Sequence, residues 1–319
     1  MLYDVNQINC MRNAARPGND MNKASPARAI RLRDDMTVPA AMHCVVAECV
    51  RQLRENIPGI ISNGDIECVH QARVALRRLR SADRAFSAMR VSRDWQMLIQ
   101  EAQWLAGMLG KLRDLQILIE VTLPPIATAH AGAIDFAPLL AELDRRSARS
   151  RVKLFAALRS KRCRALLLEL EELRALQHWL DDKHTAKRTS LPSFAGNALS
   201  KRWREVDRLA VCWEKLDQTQ RHTLRKHVKK LRYAIEFFAS LYARKAMAKY
   251  VKYLETIQKA LGNLNDTAAA QTLLRPLLRR TETAAAARAA LGWLSAVEHN
   301  QLDAAAIALA QWHRHREFW

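Results

Sequence analysis

An all-α fold is what this sequence predicts, on three observations. Gly and Pro number only 9 each in 319 residues, far below the usual ~7% and ~5%, so turn-formers are scarce. The chain is rich in Leu, Ala and Arg, and hydrophobic residues make up 49% of it, enough for a substantial core. From Thr37 onward the apolar positions recur at helical spacing. A sandwich or barrel needs many turns and does not fit. Nor does a dinucleotide-binding doubly wound domain, because no G-x-G-x-x-G follows an apolar run.

Taken in chain order, residues 1 to 36 carry Pro17, Gly18 and Pro26 and lack a helical apolar period, and read as a flexible or partly ordered arm. Two breaks interrupt the helical pattern after it. One is Thr122 to Pro138. The other, Asp181 to Asn197, has the charge and the Ser, Thr, Pro and Gly content of a linker. The second break divides the remainder into halves, residues 37–185 and 186–319.

Those halves repeat each other. His70-x-x-Arg73-x-x-x-Arg77-Arg78-Leu79-Arg80 reappears as His222-x-x-Arg225-x-x-x-Lys229-Lys230-Leu231-Arg232. The offset, 222 − 70, is 152. Leu109-Gly110-Lys111-Leu112-Arg113-Asp114 reappears as Leu261-Gly262-Asn263-Leu264-Asn265-Asp266, and 261 − 109 is 152 again. One offset holding over two separate motifs marks an internal duplication.

On a helix of 100° per residue, His70, Arg73, Arg77, Arg80 and Arg84 fall on one stripe about 80° wide, with Leu76, Leu79 and Phe86 opposite. His222, Arg225, Lys229 and Arg232 form the matching stripe of the second half, with Arg78 and Lys230 to one side, and Lys226 lies on the same helix. Like charges at i,i+3 and i,i+4 cost roughly 0.2–0.5 kcal/mol per pair. A solvated basic face is one reading. Two helices carrying the same His-led stripe point instead to an anion-binding surface. Lys111 and Arg113, and on a shorter stripe Lys201, Arg204 and Arg208, extend the candidate set, as do Arg145, Arg146, Arg149 and Lys153. Asp114 and Asp266 read as carboxylates that orient guanidinium groups.

The charge balance agrees. Lys and Arg number 52 against 32 Asp and Glu, a net charge of +20, so the surface attracts nucleic acid, anionic lipid or phosphate polymers. No membrane association is expected: the longest charge-free run, Val121 to Ile134, contains Pro124 and Pro125 and falls short of the ~20 apolar residues of a span. The N-terminus shows no secretory pattern. Cys10, Cys44, Cys49, Cys68, Cys163 and Cys212 form no C-x-x-C and read as reduced thiols of a cytoplasmic protein. Trp95, Trp104, Trp179, Trp203, Trp213 and Trp293 read as core or interface.

The two His-led helices and the two L-G-x-L-x-D segments resemble the CHAD family, the conserved-histidine α-helical domain, from about Thr37 to the C-terminus. That resemblance implies two tandem four-helix bundles related by internal pseudo-two-fold symmetry. It also implies a basic groove or pore that binds inorganic polyphosphate, and association with polyphosphate granules. Carried over by position, it implicates His70, Arg73, Arg77, Arg80, His222, Arg225, Lys229 and Arg232. Glu236 stands where the first half has Arg84, and Asn265 where it has Arg113, so the second half is expected to bind more weakly. A histidine beside a polyanion favours its charged form, which predicts tighter binding as pH falls through about 6.5.

Two alternatives stand beside this reading. A basic helical protein can bind nucleic acid, at least weakly and without sequence preference, although only 6% of residues are aromatic and stacking platforms are scarce. A phosphoanhydride-processing enzyme lacks support: there is no E-x-E-x-K, P-loop or G-x-S-x-G pattern, and His313 and His315 have no partner ligands. No catalysis, metal or cofactor is expected, and protein partners are unassigned.

Overall fold

A computed structural model of the chain describes residues 23–89, 93–175, 189–312 and 317–319; Cys10, Trp179, His313 and His315 lie outside the described residues. The α-helices among the described residues are α1 (Val38–Asn63), α2 (Ile66–Ala85), α3 (Arg93–Ile117), the short α4 (Leu123–Ala129), α5 (Ala137–Arg159), α6 (Lys161–Ala175), α7 (Leu191–Ala210), α8 (Gln218–Phe238), α9 (Arg244–Leu274) and α10 (Thr281–Trp312). There is no strand among the described residues. The fold is all-α.

Local chemistry places the ends of these helices. Thr37 caps α1 by accepting from the Ala40 amide, with Pro39 in the first turn, where its missing N–H leaves no bond unmade. At the other end Gly64 takes φ 68° and returns its N–H to Gly59 and Ile60, a left-handed closure that suits glycine. Asp65 then caps α2 by accepting from the Cys68 amide at 2.7 Å. Asp217, 152 positions later, caps α8 by accepting from the Gln220 amide at 2.7 Å, and the Gln220 side chain accepts from the Asp217 amide at 2.9 Å. Each of these caps contributes about 1 kcal/mol. The starts of α2 and α8 are likewise separated by 218 − 66 = 152 positions.

The main hydrophobic core draws on both halves. Phe86 of the α2 C-terminus, Phe194 of α7 and Phe238 of α8 are mutual neighbours, with ring centroids 5.4–6.4 Å apart. Phe86 and Phe238 are fully buried, so truncating either to Ala costs about 3–5 kcal/mol. A smaller core gathers Leu115, Leu123 and Leu139 with Leu274, Leu277 and Leu294, again from both halves. Trp95 is buried with its indole N–H donating to Asp83 at 2.8 Å, Trp203 stacks on Trp312, and Trp293 is exposed. Cys49, Cys68 and Cys163 are buried free thiols, and Cys212 is exposed. No helix of the described residues is long and apolar enough to cross a membrane.

The helix α7 begins at Leu191, inside the break expected from Asp181 to Asn197. Within the arm expected to be flexible or partly ordered, residues 23–36 are irregular and docked. Asn56 clamps Ser25 by accepting its amide at 3.0 Å and donating to its carbonyl at 2.8 Å. Ser240 does the same for Leu32 at 2.7 and 2.9 Å, and Ile30 and Leu32 are buried. This strap is anchored by side chains up to 208 positions away, which no local pattern reveals. The break from Thr122 to Pro138 contains α4, because Pro124 and Pro125 sit in its first turn, where proline is accepted.

Candidate functional site

The two basic helices pack directly against each other, and α3 also touches α9. Their charged stripes meet along this contact. Arg225 of α8 lies within electrostatic range of Arg73 and Arg77 of α2 and of Asp114 and Asp266 from α3 and α9. Lys229 is likewise influenced by Arg77, Arg225, Asp266 and Arg73. Four cations from two helices thus share one seam with two carboxylates. Arg73 donates to Asp114 at 2.9 Å and to the Gly110 carbonyl at 3.4 Å. Arg225 faces Asp266 at 3.9 Å. Each L-G-x-L-x-D segment therefore sets an acid against the first arginine of the His-led motif in its own half. Gly110 leaves the Arg73 guanidinium room, since a Cβ there would stand 3.7 Å from its Cζ.

Crowding cations in a partly dry place costs energy, and the pKa directions register it. Burial, then Arg77 and Arg225, pull the Lys229 ammonium down to about 6. His70 is lowered first by burial and then by Arg113, Arg77 and Arg73, with Glu67 acting in the opposite sense. His222 is lowered by burial, Lys226, Arg225 and Lys229, while its contact with Asn265 opposes this; Nδ1 and the Asn265 Oδ1 are 2.9 Å apart. Arg80 is lowered by burial, Arg84 and Arg77. Both histidines are therefore harder to protonate than the sequence suggests, which moves their charging in the free protein below 6.5. Burial is the largest cause of each shift, and an incoming anion offsets the repulsion among the cations that adds to it.

A second group adjoins the seam. Glu205 of α7 accepts from Arg202 at 3.0 Å and lies 2.9 Å from His227 Nδ1. Lys230 faces Glu205, Arg84, Arg202 and Lys226. Arg84, Lys226 and Lys230 thus belong to the basic surface beside the four seam cations.

Arg78 does not. It is 5% exposed, donates to Glu236 at 3.0 Å and lies 5.4 Å from the centre of the Phe237 ring. It ties α2 to α8 from within and is withdrawn as a ligand contact. Glu236 also accepts from Arg232 at 3.0 Å, so the acid in place of a second-half arginine holds two guanidinium groups. Lys111, Lys201 and Arg204 are exposed. Arg204 donates to the Ser200 carbonyl, and no hydrogen bond or ion pair among the described residues joins these three to the seam. Arg145 and Arg146 instead neutralise Glu142, which is 3% exposed, together with Arg280, at 3.0–3.2 Å. Sequence reasoning passed over Arg221, which stacks over the Trp213 ring at 5.2 Å, and over Arg202 and Glu205. Among the described residues no group of three or more His, Cys, Asp or Glu is placed to hold a metal ion.

The model of the CHAD domain family matches residues 44–275. In three dimensions the chain is similar to the crystal structure of the CHAD domain from the plant Ricinus communis. The two are 29% identical, with 92% of this chain and 98% of that one covered and a TM-score of 0.77. It is also similar in fold to PptA from Streptomyces chartreusis, at 16% identity, with 88% and 100% covered and a TM-score of 0.64. No curated protein matches it in sequence.

Proposed function

Because this chain belongs to the CHAD domain family, we propose that it binds inorganic polyphosphate along the seam between α2 and α8, as a binder and not an enzyme. The observation that carries this reading is the convergence of Arg73, Arg77, Arg225 and Lys229 from two helices. Polyphosphate offers repeated anionic oxygens and no bases. Forked guanidinium donors suit it, and the Asp114 and Asp266 carboxylates hold those donors in place. In the cell the protein associates with cytoplasmic polyphosphate granules.

Binding driven by counterion release falls steeply with salt. The test is long-chain polyphosphate affinity over a salt series, for the wild type and for a variant with Arg73, Arg77, Arg225 and Lys229 all changed to Glu. The wild type binds with a steep slope, and each cation removed lowers that slope by about one. Unchanged affinity in a folded variant rejects the site. Competition separates the nucleic-acid reading: polyphosphate displaces the protein from DNA at lower phosphate-equivalent concentration than DNA displaces it from polyphosphate. Release of phosphate by the purified protein, lost in His70→Ala, would reinstate catalysis.

A further inference from the structure

At the second-half end of the seam lies a pocket that a phosphate chain does not use in full. It is a cleft with a cavity volume of about 50 Å³ that widens into open solvent. Arg221, His222 and Arg225 of α8 form its cationic side, and Leu261, Leu264 and Ala268 of α9 line it with apolar surface. Glu298 of α10 completes the lining with a carboxylate, one oxygen of which accepts from Gln271 at 3.1 Å. The buried Nε atoms of Arg221 and Arg225 meet no acceptor among the described residues.

The duplication shows what this pocket replaces. At the same offset of 152, within the helices that carry the L-G-x-L-x-D segments, Asn265 corresponds to Arg113 and Ala268 to Gln116. In the first half Gln116 is buried, and Arg113 reaches close enough to His70 to lower its pKa. The second half has shortened both side chains. Gly262 tells the same story: a Cβ there would meet nothing within 4 Å, whereas at Gly110 it would meet Arg73. A pure polyanion gains nothing from the leucines and is repelled by Glu298. A ligand with phosphates at one end and a flat ring bearing N–H donors at the other uses every group. Its phosphates lie on Arg225 and Lys229, its ring covers the apolar surface beside the Arg221 guanidinium, and its exocyclic donors reach Glu298.

We propose that this pocket takes the base of a purine nucleoside polyphosphate whose phosphates occupy the second-half end of the seam; this rests on the seam being a phosphate site. Esterification leaves ATP and GTP fewer ionised oxygens than tripolyphosphate, so charge alone ranks them weaker. The experiment measures calorimetric affinities of ATP, GTP, tripolyphosphate and long-chain polyphosphate for the wild type, Ala268→Gln and Glu298→Ala. At least one nucleotide binds the wild type about fivefold or more tighter than tripolyphosphate, as base stacking warrants. Ala268→Gln, which restores the first-half side chain, abolishes that preference and leaves long-chain polyphosphate within about twofold. Glu298→Ala reduces the preference while strengthening tripolyphosphate. The proposal is overturned if neither nucleotide exceeds tripolyphosphate in the wild type, or if the preference survives both substitutions; Glu298→Ala decides alone should Ala268→Gln not fold. Loss of long-chain polyphosphate binding in the wild type would instead remove the seam's function, a separate result.

Discussion

Replacing Lys229 with arginine and following polyphosphate affinity between pH 8 and pH 6 isolates the most perturbed cation of the seam. In the free protein, burial and the charges of Arg77, Arg225 and Arg73 hold Lys229 at about 6, with Asp266 opposing them. Bound phosphate oxygens supply negative charge at that place and return the group toward its ordinary value of 10.5. Binding then takes up a proton throughout the window. With the bound value above 8, affinity rises about ninefold from pH 8 to 7 and about fivefold from 7 to 6, where free Lys229 begins to charge. The product is about 50-fold, or ~2.3 kcal/mol. His70 and His222, both lowered in the free protein, add to the acid end. Lys229→Arg does not titrate, so it binds more tightly than wild type at pH 8 and keeps only the histidine part of the slope. The free protein shows the complementary effect. Its folded-state value lies below the unfolded one, so the unfolded chain holds more protons between about 6 and 10.5, and stability rises with pH across that window. The permanently charged variant melts lower at pH 8 and recovers when polyphosphate is added. Calorimetry in buffers of different ionisation enthalpy counts the protons directly. A wild-type change under about threefold, or an undiminished slope in Lys229→Arg, refutes the reasoning.

Three further outcomes are expected. Glu236→Gln leaves the buried Arg78 guanidinium without its carboxylate and costs about 1–3 kcal/mol in thermal denaturation; because it also releases Arg232, polyphosphate affinity increases. Asn56→Ala removes both bonds to Ser25, lowers stability by about 1–3 kcal/mol, and makes residues 23–33 sensitive to limited proteolysis that the wild type resists. Arg77→Gln reduces the salt slope of polyphosphate binding by about one, whereas Arg204→Gln, outside the seam, leaves it unchanged.

Much of this arrangement was legible in the residues themselves. The spacing of His70, Arg73 and Arg77, repeated 152 positions on, located two helices that begin where Asp65 and Asp217 cap them. Periodicity also separated the buried face from the charged one. It could not decide Arg78, which lies at the margin of its stripe; only packing against α8 reveals the Glu236 and Phe237 beside it. Arg145 and Arg146 misled for a similar reason, since a stripe of arginines looks the same whether it awaits a ligand or surrounds a buried Glu142. The strap escaped notice because its partners Asn56 and Ser240 are distant in sequence. The pocket did leave a trace, the small Ala268 and Asn265 opposite Gln116 and Arg113, legible only once the halves are aligned and the missing volume is counted.

Two identical subunits meeting across a two-fold axis present the same lining to a linear guest from either end. Here both linings belong to one polypeptide, and matched positions have diverged: Glu236 against Arg84 and Asn265 against Arg113. A phosphate polymer has indistinguishable termini, yet laid along such a lining its two ends meet unlike surroundings. A polyphosphate bound as proposed would thereby acquire a polarity that it lacks in solution.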